Sequence, residues 1–148
     1  MRIVLQKVSS AAVFVAEKKL GQIKAGFLLL VGIEDTDDEK TVDYLVHKIV
    51  FLRVFADEND KMNLSIKDVG GAILSISQFT LYADTKKGNR PSFTKAGQPQ
   101  HAERIYDLLN KKLAHENLSV QTGEFGAHMQ VELVNDGPVT IMFDTDEN

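Results

Sequence analysis

The sequence contains no cysteine and no apolar run long enough to cross a membrane. Without cysteine the chain has no disulfide, no thiol nucleophile and no zinc–thiolate site. The apolar stretch at residues 26–33 is much shorter than the ~20 residues of a membrane-spanning helix, and we expect a buried strand there. The opening MRIVLQKV lacks the basic, apolar and small-residue regions of a signal peptide. We therefore expect a cytoplasmic protein with no membrane partner.

The bulk composition is that of one globular domain. The 148 residues match the usual size of a single domain, so we treat residues 1–148 as one unit. A content of 43% hydrophobic and 26% charged residues excludes an intrinsically disordered chain. The net charge of −4 argues against a chain-wide affinity for nucleic acid, although it is compatible with a local basic patch.

The hydrophobic periodicity predicts two helices and several strands. Apolar residues three and four positions apart predict amphipathic helices, the first ending near Phe55 and the second spanning residues 99–115. Thr36 and Glu39 have the spacing of a capping box and predict the start of the first helix. Strands are predicted at 2–15 (one bent strand or two), 27–33, 72–81 and from 118 onward. This order favours an α+β fold, with two amphipathic helices packed on a curved mixed or antiparallel sheet or a barrel-like core.

The segment from Asn135 to Thr140 separates two of the C-terminal strands. Asp136-Gly137 between alternating apolar runs predicts a hairpin turn. Pro138 directly after the turn cannot donate to a strand ladder. Because cis peptide bonds before proline are uncommon, the physical chemistry of the sequence predicts a trans Gly137-Pro138 bond.

Two short segments carry the candidate chemistry, residues 77–81 and 135–140. Each places small polar side chains or a glycine where backbone N–H and C=O groups can face a ligand, and neither contains a histidine or a pair of carboxylates. The Ser77 and Thr80 hydroxyls are either nucleophiles, which need an adjacent base, or polar positions on a strand. The four histidines fall in no triad order and no G-x-S-x-G motif is present. We therefore predict a site that works through main-chain hydrogen bonds and shape.

Three further segments each have a structural and a functional interpretation. The cations of the loop at 84–98 belong either to a solvated loop or to a rim that contacts phosphates, and they are Lys86, Lys87, Arg90 and Lys95. Phe125-Gly126-Ala127 is either a tight turn or an aromatic platform. The acidic residues at 34–39 suggest a metal cluster, but helix capping accounts for them. No metal site and no cofactor are expected.

Ordered sequence matches over nearly the whole chain point to one family. They include KMNL at 61–64, SQFTLYAD at 77–84, GNRPSF at 88–93 and TGEFGAHMQVELVNDGPVT at 122–140. Through these segments the sequence resembles the D-aminoacyl-tRNA deacylases, which edit mischarged tRNA. The resemblance implies a homodimer with active sites at the subunit interface. It also implies hydrolysis of the ester that joins a D-amino acid, or glycine, to the 3′-terminal ribose of tRNA.

The resemblance also implies residue roles. Residues 77–80 match the segment that forms the floor of the pocket. Gly137-Pro138 matches a cis segment inserted into the partner subunit's pocket, where its carbonyl groups exclude L side chains. The segment near the terminal adenosine is matched by Phe125, Gly126, Ala127 and Met129. The residues of the floor are Ser77, Gln78, Phe79 and Thr80, and the N–H groups of the last two are candidates for stabilising the oxyanion.

Two positions depart from the family's pattern. Lys7 stands where the family commonly has an arginine that is thought to brace the Gly-Pro segment, and lysine cannot make the same bidentate contact. His128 stands where an acidic residue is frequent, and we assign it no role. Two rival hypotheses come from other classes: a tRNA-end binding module without catalysis, and a structural dimer whose two motifs are merely strand edges and turns.

Overall fold

A computed structural model describes residues 1–147 as two helices packed on a curved mixed sheet. The helices are α1 (Glu39–Val50) and α2 (Pro99–Ala114), with a short 3-10 helix at Phe79–Tyr82. The strands are β1 (Arg2–Val15), β2 (Lys18–Ile23), β3 (Gly26–Gly32), β4 (Phe55–Ala56), β5 (Met62–Leu64), β6 (Ala72–Ser77), β7 (Ser119–Thr122) and β8 (Gln130–Asp144).

The long strand β1 organises the sheet. β3 and then β2 pair antiparallel with successive parts of β1, and β8 pairs antiparallel along its other edge. Beyond β3 the sheet continues through two parallel pairs, β3 with β6 and β6 with β7. The sheet curls until β2 approaches β7. The closeness of the two strands is seen at Gly21, where an added Cβ would lie 3.3 Å from the carbonyl oxygen of Thr122. The result is a nearly closed barrel, which confirms the predicted α+β class and its barrel-like core.

The predicted hairpin at residues 135–138 is wrong, because β8 is one continuous strand. Asn135 pairs with Val8 and Thr140 pairs with Gln6, so residues 136–139 lie opposite the single residue Lys7. We call residues 136–139 the β8 bulge. Both flanks of the bulge keep their direction along β1, which leaves no return strand for a hairpin. The Gly137-Pro138 bond is cis, contrary to the trans bond that sequence statistics predict and in agreement with the resemblance.

The helices cover the sheet and enclose the main core. The apolar faces of α1 and α2 pack with the inner face of β3, and their central members are Val42, Leu45, Ile49, Ile105, Leu109, Leu113, Phe27 and Leu29. α2 begins with Pro99 in its first turn, as predicted. α1 ends at Val50 instead of near Phe55, which lies in β4. Within residues 1–147, neither helix is long and apolar enough to cross a membrane.

The acidic segment before α1 caps the helix, although with a different residue pair than predicted. Asp38 is the N-cap residue: its Oδ1 accepts from Thr41 N at 3.0 Å, and Asp38 N donates to Thr41 Oγ1. The hydrogen bonds that the Asp38 carboxylate accepts from Thr41 N and Thr41 Oγ1 lower the pKa of this carboxyl group. Asp37 is buried and accepts from Glu34 N and from the amino group of Met1. Among the described residues, no group of three or more histidine and acidic side chains is arranged to hold a metal ion.

Candidate active site

The candidate site lies where two parallel strands separate. β6 and β7 pair only as far as Ser75 and Thr122. The segments that follow the two strands then diverge around a cavity of about 480 Å³. Ligand sites commonly form at the carboxyl ends of parallel strands, since departing loops leave a crevice there. The divergence brings residues 77–79 to one side of the cavity and residues 125–129 to the other.

The floor of the cavity is a backbone segment tied to its neighbours. Gln78 N donates to the carbonyl oxygen of Val31 at 2.7 Å, which fixes the segment to β3. The 3-10 helix begins one residue later, so the N–H groups of Phe79 and Thr80 have no partner within it. Gln78 Nε2 donates to Thr80 Oγ1. At the far end, Arg2 donates to the carbonyl oxygen of Leu81 at 2.9 Å. The segment is therefore anchored to its neighbours, and Ser77, Gln78 and Phe79 line the cavity, whereas Thr80, the fourth predicted floor residue, is exposed and is not among the lining residues.

The opposite wall is the turn that follows β7. Phe125, Gly126, Ala127 and Met129 all line the cavity, and their place near a terminal adenosine stays a prediction. Ala127 N donates to the carbonyl oxygen of Glu124, and Gly126 has a φ of +77°, a conformation that favours glycine. The turn therefore places this segment, including the Phe125 ring, in the lining of the cavity.

A third wall comes from the start of α2 and the residues before it. Gly97 N donates to the carbonyl oxygen of Ile33 at 2.8 Å. A Cβ added at Gly97 would lie 3.1 Å from the same oxygen, so the close approach of the two segments favours glycine. Pro99 and Ala102 complete this wall with apolar surface.

The lining offers little side-chain acid–base chemistry. Among the described residues that line the cavity, His128 is the only titratable side chain, and it lies exposed at the rim. Ser77 and Thr80 have no histidine or carboxylate among their hydrogen-bond partners in residues 1–147. The lining is therefore compatible with the predicted chemistry of main-chain donors and shape, which stays a prediction.

Gly137-Pro138 lies outside this cavity. Both residues are exposed in the β8 bulge and neither lines the cavity of its own chain. Lys7 faces the bulge from β1, with its Nζ 3.6 Å from Asp136 Oδ2. The structure thus brings together two of the three predicted site segments and leaves the third on a separate surface.

The basic loop is a closed, exposed extension beside the floor. Asp84 and Ser92 exchange two backbone hydrogen bonds of 2.7 and 2.9 Å, which close the loop at its base. All four cations are exposed, and none takes part in an ion pair within the described chain; they are Lys86, Lys87, Arg90 and Lys95.

Tyr106 does not line the cavity, but its contacts support the strands beside it, and sequence reasoning missed this role. Its hydroxyl donates to the carbonyl oxygen of Ser75 at 2.6 Å, at the point where β7 leaves β6. Its ring lies 6.1 Å from the ring of Phe125, measured between centroids. Burial raises the pKa of Tyr106, so the hydroxyl stays protonated and able to donate. The available signal was a tyrosine on the apolar face of α2, since a buried tyrosine hydroxyl usually has a partner.

The fold and the cavity together define an α+β protein whose candidate ligand cavity lies at the ends of parallel strands and is lined mainly by apolar side chains. Residues 4–144 match the family model described as D-Tyr-tRNA(Tyr) deacylase. A protein of Bifidobacterium animalis subsp. lactis named D-aminoacyl-tRNA deacylase is 60% identical, over 99% of this chain and 98% of its own. A protein of Limosilactobacillus reuteri with the same name is 57% identical over 97% and 99% of the two chains.

Solved structures with the same fold agree. The c-Myc DNA unwinding element binding protein superposes with a TM-score of 0.91 at 39% identity, over 98% of this chain and 99% of that one. A probable eukaryotic D-amino acid tRNA deacylase superposes with a TM-score of 0.80 over 96% and 97% of the chains, and at 16% identity it supports the fold alone. This chain belongs to the D-Tyr-tRNA(Tyr) deacylase family, which confirms the resemblance seen in its sequence.

Proposed function

We propose that this protein is a D-aminoacyl-tRNA deacylase of the cytoplasm, which hydrolyses the ester between a D-amino acid and the 3′-terminal ribose of tRNA. The observation that carries the proposal is the cavity between β6 and β7. It joins the segments at 77–79 and 125–129, and it offers main-chain donors without a side-chain base apart from His128 at the rim. An aminoacyl ester is an activated acyl group, so its hydrolysis needs an oriented water and a stabilised oxyanion more than a strong base.

The floor supplies the oxyanion contacts in this proposal. The oxygen of a water attacks the ester carbonyl carbon, the bond from that carbon to the ribose 3′-oxygen breaks, and the water's proton passes to the ribose oxygen. The N–H groups of Phe79 and Thr80 face the developing negative charge, an effect typically worth ~2.7–4 kcal/mol for each donor. The 2′-hydroxyl of the ribose positions the water, so the RNA provides a group that the protein lacks.

The terminal adenosine occupies the other half of the cavity. The ring of Phe125 is partly exposed and lines the cavity, where it supports the adenine base. Gly126, Ala127 and Met129 complete this part of the wall. The phosphates of the preceding nucleotides lie along the basic loop, where exposed cations neutralise backbone charge without reading sequence; these cations are Lys86, Lys87, Arg90 and Lys95.

A second copy of the chain completes the site. β8 pairs with β1 alone among the strands of residues 1–147, so its outer edge is open. Val134 and Met142 flank the bulge on this strand and are 56% and 66% exposed. An open edge with apolar side chains is suited to association with a second copy. In the homodimer, Gly137-Pro138 of each subunit enters the cavity of the other.

The β8 bulge then acts as the chirality filter. Backbone carbonyl groups close to the substrate's Cα leave no room for an L side chain, whatever its chemical nature. A rigid steric clash against the wrong substrate gives discrimination without any contact to the correct one. Glycine has no side chain to exclude, so glycyl-tRNA is also a substrate.

The test compares D-tyrosyl-tRNA, L-tyrosyl-tRNA and glycyl-tRNA with the purified protein, without added metal. We expect rapid loss of the D and glycyl esters while the L ester is spared. If the protein binds the tRNA end but cleaves no ester, the non-catalytic binding module becomes the better account. If the protein neither binds the tRNA end nor cleaves an ester, a purely structural dimer becomes the better account.

Mixing two defective variants tests the shared site. Phe79→Pro removes one main-chain donor of the floor together with the Phe79 ring, and proline suits this first position of the 3-10 helix. Asn135→Ala loosens the bulge. If the bulge acts in the partner's cavity, each mixed dimer has one site that combines the unaltered floor of one subunit with the unaltered bulge of the other. Mixing then restores selective D-ester hydrolysis. If the bulge acts within its own chain, no intact site forms and the mixture stays as defective as its parents.

A further inference from the structure

Two phenylalanine rings, one exposed and one half-buried, form a pair beside the cavity. The rings of Phe79 and Phe93 lie 5.1 Å apart between centroids and meet edge to face at 71°. Phe79 lines the cavity yet is 58% exposed. The edge-to-face contact favours one orientation of the Phe79 ring, since aromatic pairs prefer this geometry. An exposed ring that a second ring holds in place presents a flat apolar face to solvent.

The pair stands between the cavity and the basic loop. Phe93 follows Ser92, whose backbone hydrogen bonds with Asp84 close the base of that loop. The loop then carries Lys86, Lys87 and Arg90 into solvent. Cavity, Phe79, Phe93 and cationic loop are therefore successive neighbours along one surface. A single-stranded nucleic acid whose 3′ end lies in the cavity meets them in that order.

We propose that the Phe79–Phe93 pair is a stacking site for the base of the nucleotide that precedes the terminal adenosine. This proposal rests on the proposed function, since it takes the 3′ end of tRNA as the ligand. Proteins bind single strands by combining cations along the backbone with aromatic rings on which successive bases stack. The ring of Phe79 acts here independently of its N–H group, and Phe93 acts by holding that ring.

The test separates the preceding nucleotide from the terminal one. One substrate is D-tyrosyl-adenosine, esterified at the ribose 3′-oxygen, and the other is the same ester on a CCA trinucleotide. We expect Phe93→Leu to lower kcat/KM for the trinucleotide roughly tenfold relative to kcat/KM for the adenosine ester. Phe93 is chosen because it does not itself line the cavity, whereas a change at Phe79 disturbs the floor.

Two further variants control for aromatic character and for general effects. Phe93→Trp keeps an aromatic partner for Phe79 and is expected to retain the wild-type ratio of the two substrates. Phe51→Leu changes another exposed phenylalanine, which packs on His47 at the far end of α1, and is expected to leave the ratio unchanged. A shift of the ratio in Phe51→Leu as large as that in Phe93→Leu would contradict the proposal.

A substrate change tests the proposal without any substitution in the protein. With the wild-type protein, a trinucleotide that lacks the base next to the terminal adenosine should have no higher kcat/KM than the adenosine ester. Phe93→Leu should then have no further effect on kcat/KM for this abasic trinucleotide. The proposal fails if the wild-type protein cleaves the abasic and the complete trinucleotide equally well. It also fails if Phe93→Leu remains a folded dimer and keeps the wild-type ratio of kcat/KM for the two substrates. Cleavage of neither ester by the wild-type protein would refute the proposed function, and this proposal with it.

Discussion

The Asn135 side chain closes the β8 bulge by bonding the backbone of Val139. Val139 N donates to Asn135 Oδ1 at 2.8 Å, and Asn135 Nδ2 donates to the carbonyl oxygen of Val139 and to Thr140 Oγ1 at 3.3 and 3.0 Å. These bonds replace the ladder bonds that β1 cannot supply where four residues face one. The Asn135 side chain thereby joins the two ends of the bulge and sets the position of Gly137 and Pro138 between them.

Asn135→Ala is expected to weaken both folding and chiral discrimination. Val139 is buried, and the substitution leaves its N–H without a partner, at a cost of about 1–3 kcal/mol in the free energy of unfolding. A mobile bulge also excludes L side chains less well, so the ratio of D- to L-ester hydrolysis should fall. Chemical denaturation and matched D- and L-tyrosyl-tRNA assays measure the two effects.

Thr140→Val is the matched control for Asn135→Ala. It removes only the outer bond from Asn135 Nδ2 and keeps the bond from Val139 N. We expect a smaller stability loss and nearly wild-type discrimination. Full discrimination by a folded Asn135→Ala dimer would show that the bulge does not depend on this side chain.

Thr80→Ala should retain measurable activity, because the proposed donors belong to the backbone. The substitution removes the hydrogen bond from Gln78 Nε2, and a neutral bond of this kind contributes about 0.5–1.5 kcal/mol. We therefore expect kcat/KM to fall by no more than about tenfold. Thr85→Ala, at an exposed threonine of the basic loop, is the control. Complete loss of activity in a folded Thr80→Ala protein would instead make the hydroxyl a nucleophile.

Tyr106→Phe should lower kcat with little change in KM. The variant keeps the ring beside Phe125 but removes the donor to the carbonyl oxygen of Ser75, so the separation of β6 and β7 is less firmly held. The free energy of unfolding should fall by about 1 kcal/mol. Steady-state kinetics and thermal unfolding measure the two quantities, with Tyr44→Phe on the exposed face of α1 as the control. A stability loss without any change in kcat would limit Tyr106 to a structural role.

His128→Asn should leave the pH dependence of kcat/KM unchanged between about pH 5.5 and 8, the range in which histidine ordinarily titrates. His128 is the only titratable side chain among the described lining residues, so its removal tests whether any side chain of the cavity acts as a base. His115→Asn, at the exposed end of α2, is the control. Loss of an inflection from the profile in His128→Asn alone would assign the base to this residue.

Local patterns in the sequence were sufficient for most elements of the fold. The apolar spacing of α2 and the proline in its first turn predicted that helix nearly to the residue. The first predicted strand, at 2–15, is a single strand at those positions. The strand predicted at 72–81 ends earlier, at Ser77, because the chain turns into the 3-10 helix that exposes the floor. The capping pair before α1 was misplaced by two residues, since several acidic residues there have capping chemistry.

By itself the sequence determined the α+β class, the two main segments of the cavity and the family to which the chain belongs, because these depend on periodicity and on runs of residues that are contiguous in the chain. Only the tertiary structure decided that the segment at 135–140 is a bulge. Its geometry depends on register with β1, where Lys7 faces four residues of β8. Likewise, the meeting of Tyr106 with Ser75, and of Phe79 with Phe93, joins residues that no local pattern relates. Such contacts arise from how the sheet curls and where its strands separate.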